Sequence, residues 1–229
     1  MQIKLSIFVI LLFSGVLLSS CKSGSNETSS TNTTEQNSTL VTLSKEEQKE
    51  LNTFFSNFAE VSMSAFSKES LTDAALIDFA VRHEYINNNK KFELLKSEPV
   101  QAQIKESYIQ QTVDKYFGRE ITKAQPSGDI QYANGYYTLP MSDGDYKFAQ
   151  VESVSKIGEE GFLTIYSAIV NLYVGGSGWT GNAHGTMEEW KKDSPDDIPQ
   201  IIGKMKATFH KGSTEDGKRC ILIDYTEVK

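Results

Sequence analysis

The hydrophobic period of this chain changes once, at Gly118, and that change narrows the folds open to it. Before Gly118, apolar residues recur every three or four positions. Leu51, Phe54, Phe55, Phe58, Val61 and Ala65 form one series; Leu76, Ile77, Phe79, Ala80, Val81, Tyr85 and Ile86 form another. Such spacing lines one side of a helix. After Gly118 the period is two. In 204–210, Met205, Ala207 and Phe209 alternate with Lys204, Lys206, Thr208 and His210, as in a strand with one buried face. Helices first and strands afterwards predict an α+β fold with N-terminal helices on an antiparallel sheet, not alternating units around a parallel one.

Local signals place the elements. Ser44-Lys45-Glu46-Glu47 is a capping-box pattern that opens the first helix. A second opens at Ser70 and is apolar around much of its circumference, which predicts contact on more than one side. A third is expected from Ser97-Glu98-Pro99, with the proline in its first turn, and Gly118 is its stop. Asn134-Gly135 between two apolar runs reads as a hairpin, and Asp143-Gly144 as a further turn. Residues 146–157 and 162–174 read as long strands, and 201–211 and 218–228 as a last hairpin around Asp216-Gly217.

Residues 1–20 stand outside this scheme. Lys4 precedes an apolar run over 5–18, and Ser19 and Ser20 follow, the layout of a secretory signal peptide. The run is shorter than the roughly 20 residues of a spanning helix. Leu18-Ser19-Ser20-Cys21 resembles the bacterial lipobox. That resemblance implies a lipoprotein in which Cys21 receives diacylglycerol and becomes the acylated N-terminus, held in the cell envelope. More than one acyl chain gives stable attachment. Lys22 rather than Asp follows the cysteine, so the family pattern implies the outer membrane if the source has two. The alternative is ordinary secretion, with Cys21 paired to Cys220.

Residues 21–42 read as the lipidated cysteine and a tether, and 43–229 as one α+β domain. The stretch 22–40 is almost entirely Ser, Thr, Asn, Gln, Gly and Glu, which buries too little apolar surface to offset ordering entropy. Such a leash reaches roughly 25 Å. The 229 residues carry 23 Lys and Arg against 30 Asp and Glu, a formal charge of -7. An acidic chain of this kind lacks the basic footprint of a nucleic-acid binder. An acidic domain is also repelled by an anionic bilayer, which leaves the lipid as the membrane contact.

The order of helices and strands resembles the cystatin/NTF2-like class, a curved antiparallel meander folded around helices. Asp78-Phe79-Ala80-Val81-Arg82-His83, Lys115-Tyr116-Phe117-Gly118 and Gly135-Tyr136-Tyr137 also resemble segments of uncharacterised bacterial lipoproteins. Neither resemblance carries a catalytic motif.

Candidate chemistry is thin. Gly176-Ser177-Gly178-Trp179-Thr180-Gly181 is a literal G-x-G-x-x-G, but the following residues do not read as a βαβ unit, so no dinucleotide is expected. Trp179 and His184 in this glycine-rich tract are candidates for a mobile binding loop; the competing reading packs the indole on the sheet. Asp78, Arg82 and His83 bring acid, cation and base together on the second helix, as a surface ion pair or as the lining of a pocket. His83, His184 and His210 lack metal-ligand spacing, and Cys220 lies in an apolar strand, so neither a metal nor a cofactor is expected. The leading expectation is a lipid-anchored, non-enzymatic domain that binds a protein or small-molecule ligand. The alternative is a small NTF2-like enzyme with Asp78 and His83 as acid/base groups in a cone-shaped pocket.

Overall fold

The computed structural model describes residues 38–141, 144–176, 178–214 and 217–229. The signal segment, Cys21 and the tether to residue 37 lie outside the described residues, as do Asp143, Ser177 and Asp216. The fold is α+β, with four α-helices and two antiparallel sheets among the described residues. In chain order these are β1 (Thr39–Leu40), α1 (Lys45–Ala59), α2 (Asp73–Asn87), β2 (Glu93–Leu95), β3 (Gln101–Lys105), α3 (Glu106–Phe117), β4 (Gln131–Ala133) and β5 (Tyr136–Pro140). Then follow β6 (Lys147–Glu160), β7 (Leu163–Val174), α4 (Met187–Asp193), β8 (Gln200–Thr214) and β9 (Gly217–Glu227). The large sheet runs β1-β6-β7-β8-β9, and the small one β2-β3-β5-β4.

Helix α1 starts where its sequence says. Ser44 accepts from the Glu47 backbone N–H while the Glu47 carboxylate takes the Ser44 N–H, a closed capping box. Its apolar face, Leu51, Phe54, Phe55 and Phe58, is buried in the main core. Its polar neighbours do structural work against β6. Asn52 Oδ1 accepts from Val151 N at 2.8 Å, Gln48 Nε2 donates to Val151 O at 2.8 Å, and Ser56 Oγ accepts from Ala149 N at 2.9 Å. Beyond them β1 pairs Leu40 with Ser155 and Thr39 with Lys156. One short strand and three helix side chains thus satisfy backbone groups along the edge of β6, which would otherwise be open for pairing with another chain. The folded unit accordingly takes up Thr39 and Leu40, ahead of the boundary expected at residue 43.

Helix α2 is buried around most of its girth, with Leu76, Ile77, Phe79, Ala80, Val81, His83 and Glu84 all inaccessible. Its N-cap is Thr72, two residues after the expected Ser70. The buried Glu84 carboxylate accepts from Thr112 Oγ1 and pairs with Lys91 Nζ at 2.8 Å, so its charge is matched.

The third helix is shorter than expected. Residues 101–105 form β3, which pairs with β5, and α3 begins only at Glu106. Gln101, Ala102, Gln103 and Ile104 alternate half-buried with buried, a period of two that a helix would scatter over several faces. The helix ends at Gly118 in the left-handed conformation, φ 60°. A β-carbon there would meet Ile221 Cδ1 at 3.0 Å. Gly118→Ala is therefore expected to lower stability by about 1–2 kcal/mol in urea unfolding, the scale of left-handed strain in a residue with a β-carbon.

The sheet separates two cores. Ala149 and Phe148 are neighbours on β6 and point to opposite faces. Ala149 joins the main core with α1, α2 and α3. Phe148 joins a second cluster with Tyr173, Trp179 and Trp190. Helix α4 delivers Trp190; its Thr186–Glu189 capping box holds the first turn, and Trp190 Nε1 donates to Asn182 O at 2.7 Å.

Candidate functional site

Trp179 does not sit on an open binding loop. It is 7% exposed and stacks on Phe148 at 5.2 Å with an interplanar angle of 8°. The glycines around it follow from the same packing. A β-carbon at Gly175 would lie 2.8 Å from Trp179 Cγ, and one at Gly181 would lie 2.4 Å from Cζ2. They clear space for an indole rather than loosening the chain. His184 is exposed beside this cluster, and partial burial, then Lys49, holds its imidazole below the usual histidine range. The two side chains thus differ in setting: Trp179 is packed inside the cluster and His184 is exposed.

Asp78, Arg82 and His83 diverge. Asp78 accepts from Arg82 Nε at 3.0 Å, the ion pair of an i,i+4 spacing, and Asp129 accepts from Arg82 Nη2. The guanidinium stays charged against the cost of burial because two carboxylates flank it. His83 turns the other way, 4% exposed, its ring parallel to Phe79 at 5.5 Å. Its Nδ1 lies 2.9 Å from Glu60 Oε1, which also accepts from Asn87 Nδ2 at 2.5 Å.

Glu60 leads to the site. It closes α1, and the turn after it has the paired hydrogen bonds of a Schellman end, Met63 N to Phe58 O and Ser62 N to Ala59 O, both 2.9 Å. Ser62 occupies the left-handed position, φ 53°, where glycine is usual. Its hydroxyl accepts from Lys147 Nζ at 2.8 Å. Glu60, Ser62, Arg82 and Lys147 line one cleft of about 470 Å³ between the end of α1, α2 and the end of β5. Tyr85, Ile86, Leu139, Pro140 and Tyr146 complete its wall, with Asp145 at the rim. Burial, then Glu60, raises the Tyr146 hydroxyl above its usual range, so it stays protonated and able to donate.

Of Asp78, Arg82 and His83, which the sequence offers as an ion pair or a pocket lining, Arg82 lines this cleft, beside Glu60 and Lys147, which the sequence did not single out. Asp78 and His83 do not line it; each holds a residue that does. The link between Glu60 and His83 spans 23 positions and no local pattern announces it.

Known protein families, curated proteins and solved structures contain no match to this chain.

A second cleft, of about 490 Å³, has an apolar floor of Phe117, Ile221 and Leu222. Two of its polar groups are engaged locally: His210 faces Glu160 at 3.3 Å, and Arg119 donates to the Lys68 carbonyl. Among the described residues no three His, Cys, Asp or Glu side chains are placed to hold a metal ion. Burial pushes the Cys220 thiol up to about 12, so it is not a thiolate nucleophile near neutral pH. No helix among the described residues is long and apolar enough to cross a membrane.

Proposed function

We propose that the protein is a lipid-anchored bacterial envelope lipoprotein whose domain captures a small-molecule ligand in the cleft of Glu60, Arg82 and Lys147. One observation carries the binding reading. Glu60 has one oxygen committed to His83 and Asn87, and no described residue bonds the other. A carboxylate so oriented is prepared for a donor that the chain does not supply. The lipobox at Leu18-Ser19-Ser20-Cys21 supports the anchor, and Lys22 supports the outer membrane in a two-membraned cell. The consecutive pairing of β6, β7, β8 and β9, with α1 bonded to β6, supports a cystatin/NTF2-like arrangement.

The enzyme alternative has less support. Asp78 is committed to Arg82, and His83 is sealed behind Glu60, so the two do not act on one substrate atom. General acid/base work needs the reacting proton within hydrogen-bond reach.

The anchor is tested directly. Cys21→Ser is expected to move the full chain from the membrane fraction to the soluble fraction and to abolish metabolic labelling with palmitate. Retention of both after the substitution would refute lipidation.

A further inference from the structure

We propose that the cleft recognises a small zwitterion, a free α-amino acid or dipeptide with an apolar side chain. This rests on the reading above that the cleft is the ligand site. Glu60 and Lys147 carry opposite charges on one cleft and form no ion pair with each other. Lys147 has a hydroxyl, Ser62, as its hydrogen-bond partner and, among the described residues, no carboxylate within ion-pair distance. Its ammonium has three donors and Ser62 takes one. Glu60 has one oxygen bonded, and the other has no partner among the described residues.

The charges select against simpler ligands. A monocation would satisfy Glu60 and be repelled by Lys147. A monoanion would satisfy Lys147 and be repelled by Glu60. A neutral apolar molecule would cover both and leave two charges desolvated without partners, a costly arrangement. A ligand with its own ammonium and carboxylate answers both ends at once. Arg82 adds little to this balance because Asp78 and Asp129 already flank it, and Asp145 at the rim is exposed to solvent, where water screens its charge. Between the charged ends, Tyr85, Ile86, Leu139 and Tyr146 offer surface for an apolar side chain. The volume, about 470 Å³, falls in the small-ligand range.

The two ends are prepared differently. Glu60 is held from behind by the buried His83 and by Asn87, so little side-chain entropy remains to be lost on binding. Lys147 is steered by Ser62, whose left-handed backbone places a hydroxyl where a glycine would provide none.

Calorimetric titration of the full chain tests this with phenylalanine, leucine and the dipeptide Leu-Phe. The comparison series is N-acetyl-phenylalanine, phenylalaninamide, butyrate and putrescine. The free zwitterions are expected to bind, and blocking either end to weaken binding about tenfold or more, as for a lost charge-assisted hydrogen bond. Lys147→Met is expected to erase the preference for phenylalanine over its amide while keeping the preference over the acetylated form. Glu60→Gln is expected to do the reverse. Should Glu60→Gln disturb the fold, the partly exposed Lys147 variant still decides the matter. Equal binding of blocked and free forms overturns the zwitterion. Binding of butyrate or putrescine alone, still sensitive to these variants, overturns it while keeping the cleft as a ligand site. No binding by any probe at millimolar concentration overturns the zwitterion and the cleft reading together. The outcome for Cys21 is independent of all three.

Discussion

Trp179→Ala is expected to lower the unfolding free energy of the full chain by about 3–5 kcal/mol, the scale for deleting a buried large aromatic. The indole is stacked on Phe148 and meets Trp190 edge-on at 6.3 Å, so its removal opens a cavity that three other rings line. Gly175 and Gly181 cannot fill that space, having no side chains to rearrange. Chemical denaturation monitored by far-ultraviolet circular dichroism gives the number without relying on the tryptophan signal. A loss below about 1 kcal/mol would mean that the second cluster is dispensable to the sheet.

Phe58→Ala is expected to have an effect of the same size, about 3–5 kcal/mol, for a different reason. Phe58 is fully buried where α1, α2, α3 and β9 meet. Its ring contacts those of Phe54, Phe55, Phe79, Tyr116, Phe117 and Tyr225, with the Phe79 centroid at 4.9 Å. Removing it takes a partner from every helix of the main core. Phe162, 98% exposed between β6 and β7, is the matched control. Phe162→Ala is expected to change stability by no more than about 0.5 kcal/mol.

What the sequence discloses divides by distance along the chain. Ser44 with Glu47, Gly118 and Asn134-Gly135 are local devices, and all three act as their residue types require. Residues 100–108 are different. Val100, Ile104 and Tyr108 fit a helical spacing, while Ala102 and Ile104 fit a strand; the pairing of β3 with β5 decides between them. Local sequence contains both answers, and only the partner strand selects one. The Thr186–Glu189 capping box was legible as the start of α4 and would have pointed to Trp190.

The site was least legible. Arg82 could be read from its helix, but its value depends on a cleft formed by β5 and the end of α1. Glu60 looks like any acidic residue at a helix end. Its importance comes from His83 behind it, a contact that exists only once α1 and α2 are packed. The glycine tract misled for the opposite reason. Glycine frees a backbone, and it also makes room for a neighbour. The indole beside Gly175 and Gly181 shows which applies here.

The pairing of β1 with β6 has a mechanical consequence. Tension arriving along the chain from its N-terminal side meets first the bonds of 39–41 with 154–156, and only afterwards the Ser44–Glu47 cap of α1. Peeling the stretch 39–43 away would release roughly 17 Å of slack. The main core would stay unloaded, because Leu51, Phe54 and Phe55 lie beyond the cap. Rebinding needs only a few residues to find the edge of β6 again. A domain held by its N-terminus would therefore possess a reversible shock absorber, one that yields under load before the cleft at the far end of α1 is deformed.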